Sequence, residues 1–340
     1  MHRARGVTST PILSDPARGR PAVGAAVANG LPTAGCVGPL RAGERDTLLH
    51  WLDAGLRGGR RDRISAEYAV ALEDAAPEDH ALARVDGRLA AHALARPLVL
   101  RAGGTELPAG MIGLVYADPA HRRRGLASAC VEAALHRLAA RGAVLAMLWS
   151  ERESFYRRLG FSPGGCEVFH RVDAALLRAL RDRLGALPRV REARESDFSD
   201  LEAMYAAKPA GVRRAPGTLA RAARAPDCRL LVATEGDTAI AYAARGRGDD
   251  FPGVVHEWAG DAAGVAACLE AWAALEPESW LLASSHEEPL VRALRAAGAE
   301  RVEKPLALLR VLDAAALRRA LCARPGLSLD AFFVWGFDSI

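Results

Sequence analysis

Ten consecutive residues, Asp118-Pro119-Ala120-His121-Arg122-Arg123-Arg124-Gly125-Leu126-Ala127, gather the side chains best placed to do chemistry. Three arginines run up to a glycine, and the apolar spacing of a helix begins directly after it. Unpaired amides at a helix start, with a glycine where a side chain would block approach, make an anion site by geometry and dipole. The guanidiniums beside it add charge-assisted bonds to phosphate oxygens. In so arginine-rich a chain, the same run also reads as a solvated basic loop ahead of a helix. What surrounds the segment has to separate the two readings.

The flanking elements are well signalled. Met111 to Tyr116 reads as a short buried strand entering the loop. Leu126 to Arg141 reads as an amphipathic helix leaving it, with Leu126, Cys130, Val131, Ala134, Leu135 and Leu138 on one stripe and Gly142 as its stop. Ala143 to Trp149 is a second buried strand. Ser150-Glu151-Arg152-Glu153 has the spacing of a capping box, opening a helix that runs to Leu159 and ends at Gly160. Upstream, Asp46 to Leu56 is helical, and strands Asp79 to Val85 and Arg88 to Leu100 meet at Asp86-Gly87, a hairpin dipeptide. Residues 173 to 185 form a linking helix with Leu176, Leu177, Leu180 and Leu184 inward. The pattern then restarts at Val190.

The restart is a repeat. Ala81 to Arg96 aligns without gaps on Leu230 to Arg245, placing Gly87 on Gly236 and Arg96 on Arg245. Gly125-Leu126 ahead of a helix matches Gly264-Val265, and Leu159-Gly160 matches Ala297-Gly298, in the same order. The domains expected are a flexible tail over 1–34, a first α/β domain over 35–172, a linker helix over 173–188, a second over 189–312, and a helix with an aromatic tail over 313–340.

Composition limits the function classes. The 340 residues suit about two domains, and the half-apolar, quarter-charged balance is that of a soluble globular chain. A net charge of +4 is too small to argue nucleic-acid binding. Lys208 and Lys304 are the two lysines among 45 basic residues, a skew that reads as base composition rather than selection for phosphate contacts. No apolar stretch reaches the roughly 18 residues of a membrane span, and prolines interrupt the N-terminal segment before a signal-peptide core forms. Cys36, Cys130, Cys166, Cys228, Cys268 and Cys322 show neither C-x-x-C pairing nor metal-ligand spacing, so they read as buried thiols of a cytoplasmic protein without a metal.

The segment resembles the GCN5-related N-acetyltransferase (GNAT) superfamily. Its R/Q-x-x-G-x-G/A signature is met by Arg122, Gly125 and Ala127, and the strand–loop–helix–strand order ends in a Tyr-bearing helix, Ser150 to Phe161. The resemblance covers about residues 36 to 172. The tandem arrangement and the Ser-Glu…Tyr-x-Arg-x-Gly-Phe stretch look most like the enhanced-intracellular-survival type, although the final portion is short of the sterol-carrier-like domain such proteins carry. What the resemblance implies is an α/β fold of tandem GNAT-like mixed sheets flanked by helices, with acetyl-CoA as donor and direct attack by a primary amine. Arg122, Arg123, Arg124, Gly125, Leu126 and Ala127 would then hold the pyrophosphate. Val115, Tyr116 and Ala117 would pair with the pantetheine arm, and an amide there would polarise the thioester carbonyl. Ser150 would contact the cofactor arm unless it is only a helix cap. Tyr156 would be the general acid, since a phenol near pKa ~10 can protonate a departing thiolate near ~8.5; the other reading is a core ring beside Phe155 and Leu159.

The strand Met111–Tyr116 carries no glutamate to serve as base. The second copy reads as degenerate: Asp261 would cap the helix amides and repel a phosphate, and Leu294 stands where Tyr156 does. The tail Ala331–Ile340 reads as a strand docked on the core, its last three residues burying little; a sharper reading brings the Ile340 carboxylate to the acyl site. The acidic stretch Leu72–Asp79 reads either as a solvated face or as the wall of a cationic acceptor site. A small-molecule or peptide amine is the partner expected, with self-association open. The rival functions are a non-catalytic acyl-CoA-binding or sensing module and an interaction scaffold.

Overall fold

The computed structural model describes residues 37–274 and 278–340, so the tail expected over 1–34 lies outside the described residues. The first half runs β1 (Val37–Gly38), α1 (Arg45–Leu56), α2 (Arg63–Glu67), α3 (Ala69–Glu73), β2 (His80–Val85), β3 (Arg88–Ala102), β4 (Thr105–Ala117), α4 (Leu126–Ala140), β5 (Leu145–Leu148), α5 (Glu153–Arg157), β6 (Ser162–Gly164) and β7 (Glu167–Val172). The linking helix α6 (Ala174–Leu184) follows, capped by Asp173, whose side chain accepts from Leu176 N. The second half runs β8 (Arg189–Glu192), α7 (Phe198–Ala206), β9 (Ala210–Val212), α8 (Thr218–Ala222), β10 (Arg229–Glu235), β11 (Thr238–Arg245), β12 (Val254–Gly260), α9 (Ala262–Ala273), β13 (Ser279–Ala283), α10 (Pro289–Ala296), β14 (Arg301–Lys304), β15 (Ala307–Val311) and α11 (Ala314–Cys322).

The two aligned segments form matching antiparallel hairpins, β2–β3 and β10–β11, each with a register shift near its turn. Asp86 and Gly87 both take positive φ, as the dipeptide predicts. The sheets, however, do not follow the division at residue 172. One is ordered β1-β2-β3-β4-β5-β15-β6, with β9 on the far end of β3; the other is β14-β7-β13-β12-β11-β10-β8. Strand β7 of the first half therefore lies inside the second sheet, and β15 of the second half lies inside the first. Pulling the halves apart would strip each sheet of an interior strand.

Three local expectations are corrected. The strand entering the loop is longer than the buried run, because β3 and β4 continue as an antiparallel pair from Arg96↔Met111 to Ala102↔Thr105. The capping box does not form: α5 begins at Glu153 without a side-chain cap, and Glu153 pairs instead with Arg157 one turn on. Gly264 does not precede its helix but sits in the first turn of α9, where a Cβ would lie 2.7 Å from that of Ala241.

The aromatic tail docks, though not as a strand. Short 3-10 turns at Leu329–Ala331 and Gly336–Asp338 bracket it. Trp335 stacks edge-on against Trp258 at 5.5 Å, and Phe337 against His256 at 4.8 Å. Between the Trp258 and Trp335 rings lies the Lys208 ammonium, 3.7 and 4.1 Å from their centroids and 2.8 Å from Glu288. Burial pulls that lysine down to about 8, against the pull of Glu288. Nor do the last residues bury little: Asp338 is fully enclosed, accepting from Arg214 at 2.8 and 2.9 Å and from the Tyr205 hydroxyl at 2.9 Å. The cysteines also divide. Cys130 and Cys268 are buried, Cys166 and Cys228 partly so, and Cys322 is exposed, which corrects the reading of every thiol as buried; Cys36 lies outside the described residues.

Candidate functional site

Strands β4 and β5 run parallel and are paired only from Ala109↔Leu145 to Met111↔Met147. Beyond Met111 they part. Leu114 takes a positive φ of 51°, and the β3–β4 register shifts between His92 and Leu94. The bulge is held from behind by His92, whose Nδ1 donates to Leu114 O at 2.8 Å while its Nε2 faces His80 Nδ1 at 3.1 Å. Burial pushes these imidazoles down, His92 to about 3 and His80 to about 4, so both are neutral props rather than titrating groups near neutrality.

The parted strands leave the Val115–Ala117 edge facing a cleft of about 950 Å³. Val115, Tyr116, Ala117, Arg122, Arg123, Gly125, Leu126, Ala127, Ser150 and Tyr156 all line it, so one groove unites residues that the chain spreads over some 40 positions. Arg124 does not line it and lies instead 3.1 Å from His121 Nδ1. Asp118 shapes the loop by accepting from Ala120 N at 2.8 Å. Gly125, at φ 76°, is the residue before α4; its left-handed conformation turns the chain into the helix and leaves the first amides bare toward the cleft. Gly55 and Leu56 at the end of α1, together with Phe155 and Arg158, complete the walls; nothing in their spacing marked them.

Tyr156 is at once a packed ring and a wall of the cleft. Its ring is 6% exposed and packs edge-on against Phe155 at 4.8 Å and Phe161 at 5.9 Å, yet the residue also lines the cleft. Burial pushes its phenol above the usual tyrosine range, partly offset by the hydrogen bond with Ser150 and by Arg152. Ser150 is thus not a helix cap. Its Oγ also accepts from Arg152 N at 3.1 Å.

A second cavity of about 410 Å³ adjoins the first and shares Leu56, Val115, Ser150 and Tyr156 with it. Its remaining walls come from both sheets and include Trp149, Glu167, Phe169, Asp250 and Phe251. Ile340 also reaches it: its main-chain carbon lies 2.9 Å from where a Cβ on Gly113 would be. By contrast, the acidic stretch Leu72–Asp79 lines neither cavity. Glu73 and Asp74 pair with Arg221, and Asp79 pairs with Arg137 and Arg141. It is a neutralised face rather than an acceptor wall.

In the second half, Asp261 occupies the start of α9 and accepts from Gly264 N at 2.9 Å, taking the amide that an anion would need. Where Tyr156 stands before Gly160, Leu294 is buried before Gly298, both glycines at φ 78°. Among the described residues no cluster of His, Cys, Asp or Glu could hold a metal ion, and no helix is long and apolar enough to cross a membrane.

Residues 39–164 match the family model described as an acetyltransferase (GNAT) domain. The fold is similar to a GCN5-related N-acetyltransferase from Kribbella flavida, with a TM-score of 0.62 and 19% identity over 84% of this chain and 72% of that one. It is similar as well to a conserved protein of unknown function, a probable N-acyltransferase, from Enterococcus faecalis V583, at 0.64 and 15% over 82% and 72%. Eis1 from Mycobacterium abscessus matches at 0.56 and 18% over 84% and 75%. At such identities the likeness establishes the architecture, two mixed sheets in a tandem GNAT-like fold. No curated protein sequence matches the chain.

Proposed function

We propose that this chain, whose residues 39–164 are a GNAT-type domain, moves an acetyl group from acetyl-CoA to a primary amine. The carrying observation is the cleft itself, which gathers the arginine–glycine loop, the unpaired edge of β4 and the buried Tyr156 phenol around one space. In this reading the amides at the start of α4, with Arg122 and Arg123, hold the pyrophosphate, as a helix start and guanidiniums do elsewhere. The Val115–Ala117 edge takes the pantetheine arm as an added strand, and an amide there faces the thioester oxygen. Such a donor contributes about 2.7–4 kcal/mol to the barrier reduction. The amine nitrogen bonds to the carbonyl carbon, the carbon–sulfur bond breaks, and the sulfur takes the Tyr156 proton. The nitrogen gives up a proton in turn, which restores the phenol.

Acetyl-CoA titrated calorimetrically should fill one site per chain. Gly125→Asp, which sets a carboxylate against the pyrophosphate, should abolish that binding, and two sites or survival of binding would overturn the assignment. The absence of a carboxylate from Met111 to Tyr116 favours one rival, a non-catalytic acyl-CoA-binding module. Acetyl-CoA that binds but releases no thiol with any amine would establish that rival.

A further inference from the structure

The smaller cavity contains a carboxylate, Glu167, that no side chain pairs with directly. Strand β7 crosses into the second sheet, so Val168 and His170 turn into the core while Glu167 and Phe169 face the cavity. Two other acids stand there: Asp250 is engaged, accepting from Arg57 at 3.2 Å and from the Tyr68 hydroxyl, and the terminal carboxylate of Ile340 lies by Gly113. Among the described residues no hydrogen bond or ion pair engages the Glu167 side chain, although its backbone pairs in the ladder with β14. Its ladder neighbour Lys304 sits over the Phe169 ring, 5.1 Å from its centroid. Burial pushes the Glu167 carboxyl up to about 7, with Lys304 pulling the other way. A part-buried carboxylate without a direct ion pair is costly unless a ligand supplies one. Here Trp149, Phe169 and Phe251 line the same space, and aromatic faces beside a carboxylate favour an ammonium group.

We infer that Glu167 anchors a second ammonium group of the acceptor, so that the site selects diamines and longer polyamines over monoamines. The inference rests on the proposed acetyl transfer and names the acceptor class for the same site. Tyr156, Ser150 and Val115 line both spaces, so a diamine with one nitrogen at the thioester has its other directed toward the second sheet. The charged or titratable groups around Glu167 are Lys304 on β14, Cys166 beside it, Asp250, Arg57 and Tyr68 across the cavity, Tyr156 and the end of the chain at Ile340; β13 ends with Ala283 opposite the neighbouring Val168, without charge. Arg57 is itself neutralised by Glu67 and Asp250, so it does not bar a second cation.

Thiol release from acetyl-CoA with 1,5-diaminopentane and with pentylamine tests this in the full chain. The wild type should favour the diamine in kcat/KM by about tenfold or more, as a charge-assisted bond allows. Glu167→Gln should raise KM for the diamine about ten- to hundredfold, with a much smaller change for pentylamine, and Glu167→Asp should restore part of the preference. The wild-type preference should fade as pH drops below about 7, where Glu167 takes up its proton, and the Gln variant should show no such fading. If both amines react and Glu167→Gln leaves their ratio unchanged, this inference falls and the proposed transfer stands. If the wild type binds no acetyl-CoA, or releases thiol with neither amine, both fall together.

Discussion

Tyr156→Phe separates the packing of the ring from the proposed role of its hydroxyl as general acid. The substitution removes only the hydroxyl. Edge contacts with Phe155 and Phe161 remain, and the ring stays as enclosed as its 6% exposure requires. The structural loss is one hydrogen bond with Ser150, about 0.5–1.5 kcal/mol. General acid catalysis contributes about 10²–10⁴ in rate, which at ~1.36 kcal/mol per decade is about 2.7–5.4 kcal/mol of barrier. The kinetic loss should therefore exceed the stability loss severalfold. Acetyl-CoA affinity should hold, because the loop that would grip the pyrophosphate is built from other residues. Burial also holds the wild-type phenol above its ordinary ~10, so the acid stays protonated at neutral and mildly alkaline pH, and Tyr156 should impose no fall in turnover below about pH 10. Steady-state thiol release across pH, with calorimetry and thermal melting of both proteins, provides the readout. Unaltered turnover in Tyr156→Phe would refute the acid role and leave a packing residue.

Two further predictions concern the scaffold. Asp338→Asn strips the charge from a fully buried partner of Arg214 and Tyr205 while Glu257 keeps that guanidinium paired, so urea unfolding should show a loss of about 1.5–3 kcal/mol; a loss below about 1 kcal/mol would refute the view that this network ties down the tail. Gly264→Ala places a Cβ 2.7 Å from that of Ala241 and should cost about 1–3 kcal/mol by overpacking, with acetyl-CoA binding retained; an unchanged melting temperature would contradict the close α9–β11 approach.

Features set by near neighbours were legible in the sequence. The hairpin at Asp86-Gly87, the stripe of α4, the Asp173 start of α6 and the arginine–glycine loop each depend on residues within a few positions, where φ preference and 3.6-residue spacing act directly. The degenerate second loop was legible for the same reason, since Asp261 caps its own helix. The capping box failed locally too, but through competition: Arg157 offers Glu153 a charged partner one turn away, and the amide bond is not made. Long-range pairing decided the rest. No periodicity tells β7 to leave its own sheet or β15 to enter the other, because a strand's pattern records which face is buried and not which edge it joins. That exchange brings Glu167 and Phe169 of β7 to the cavity beside Tyr156. The tail's aromatic content signalled burial, but its path around Lys208 and down to Gly113 follows from cavities that exist only once both sheets are assembled. The chemistry of the loop is local and written in its own residues, whereas what faces it is not, because a side chain's partners across a cleft are fixed by packing between distant segments.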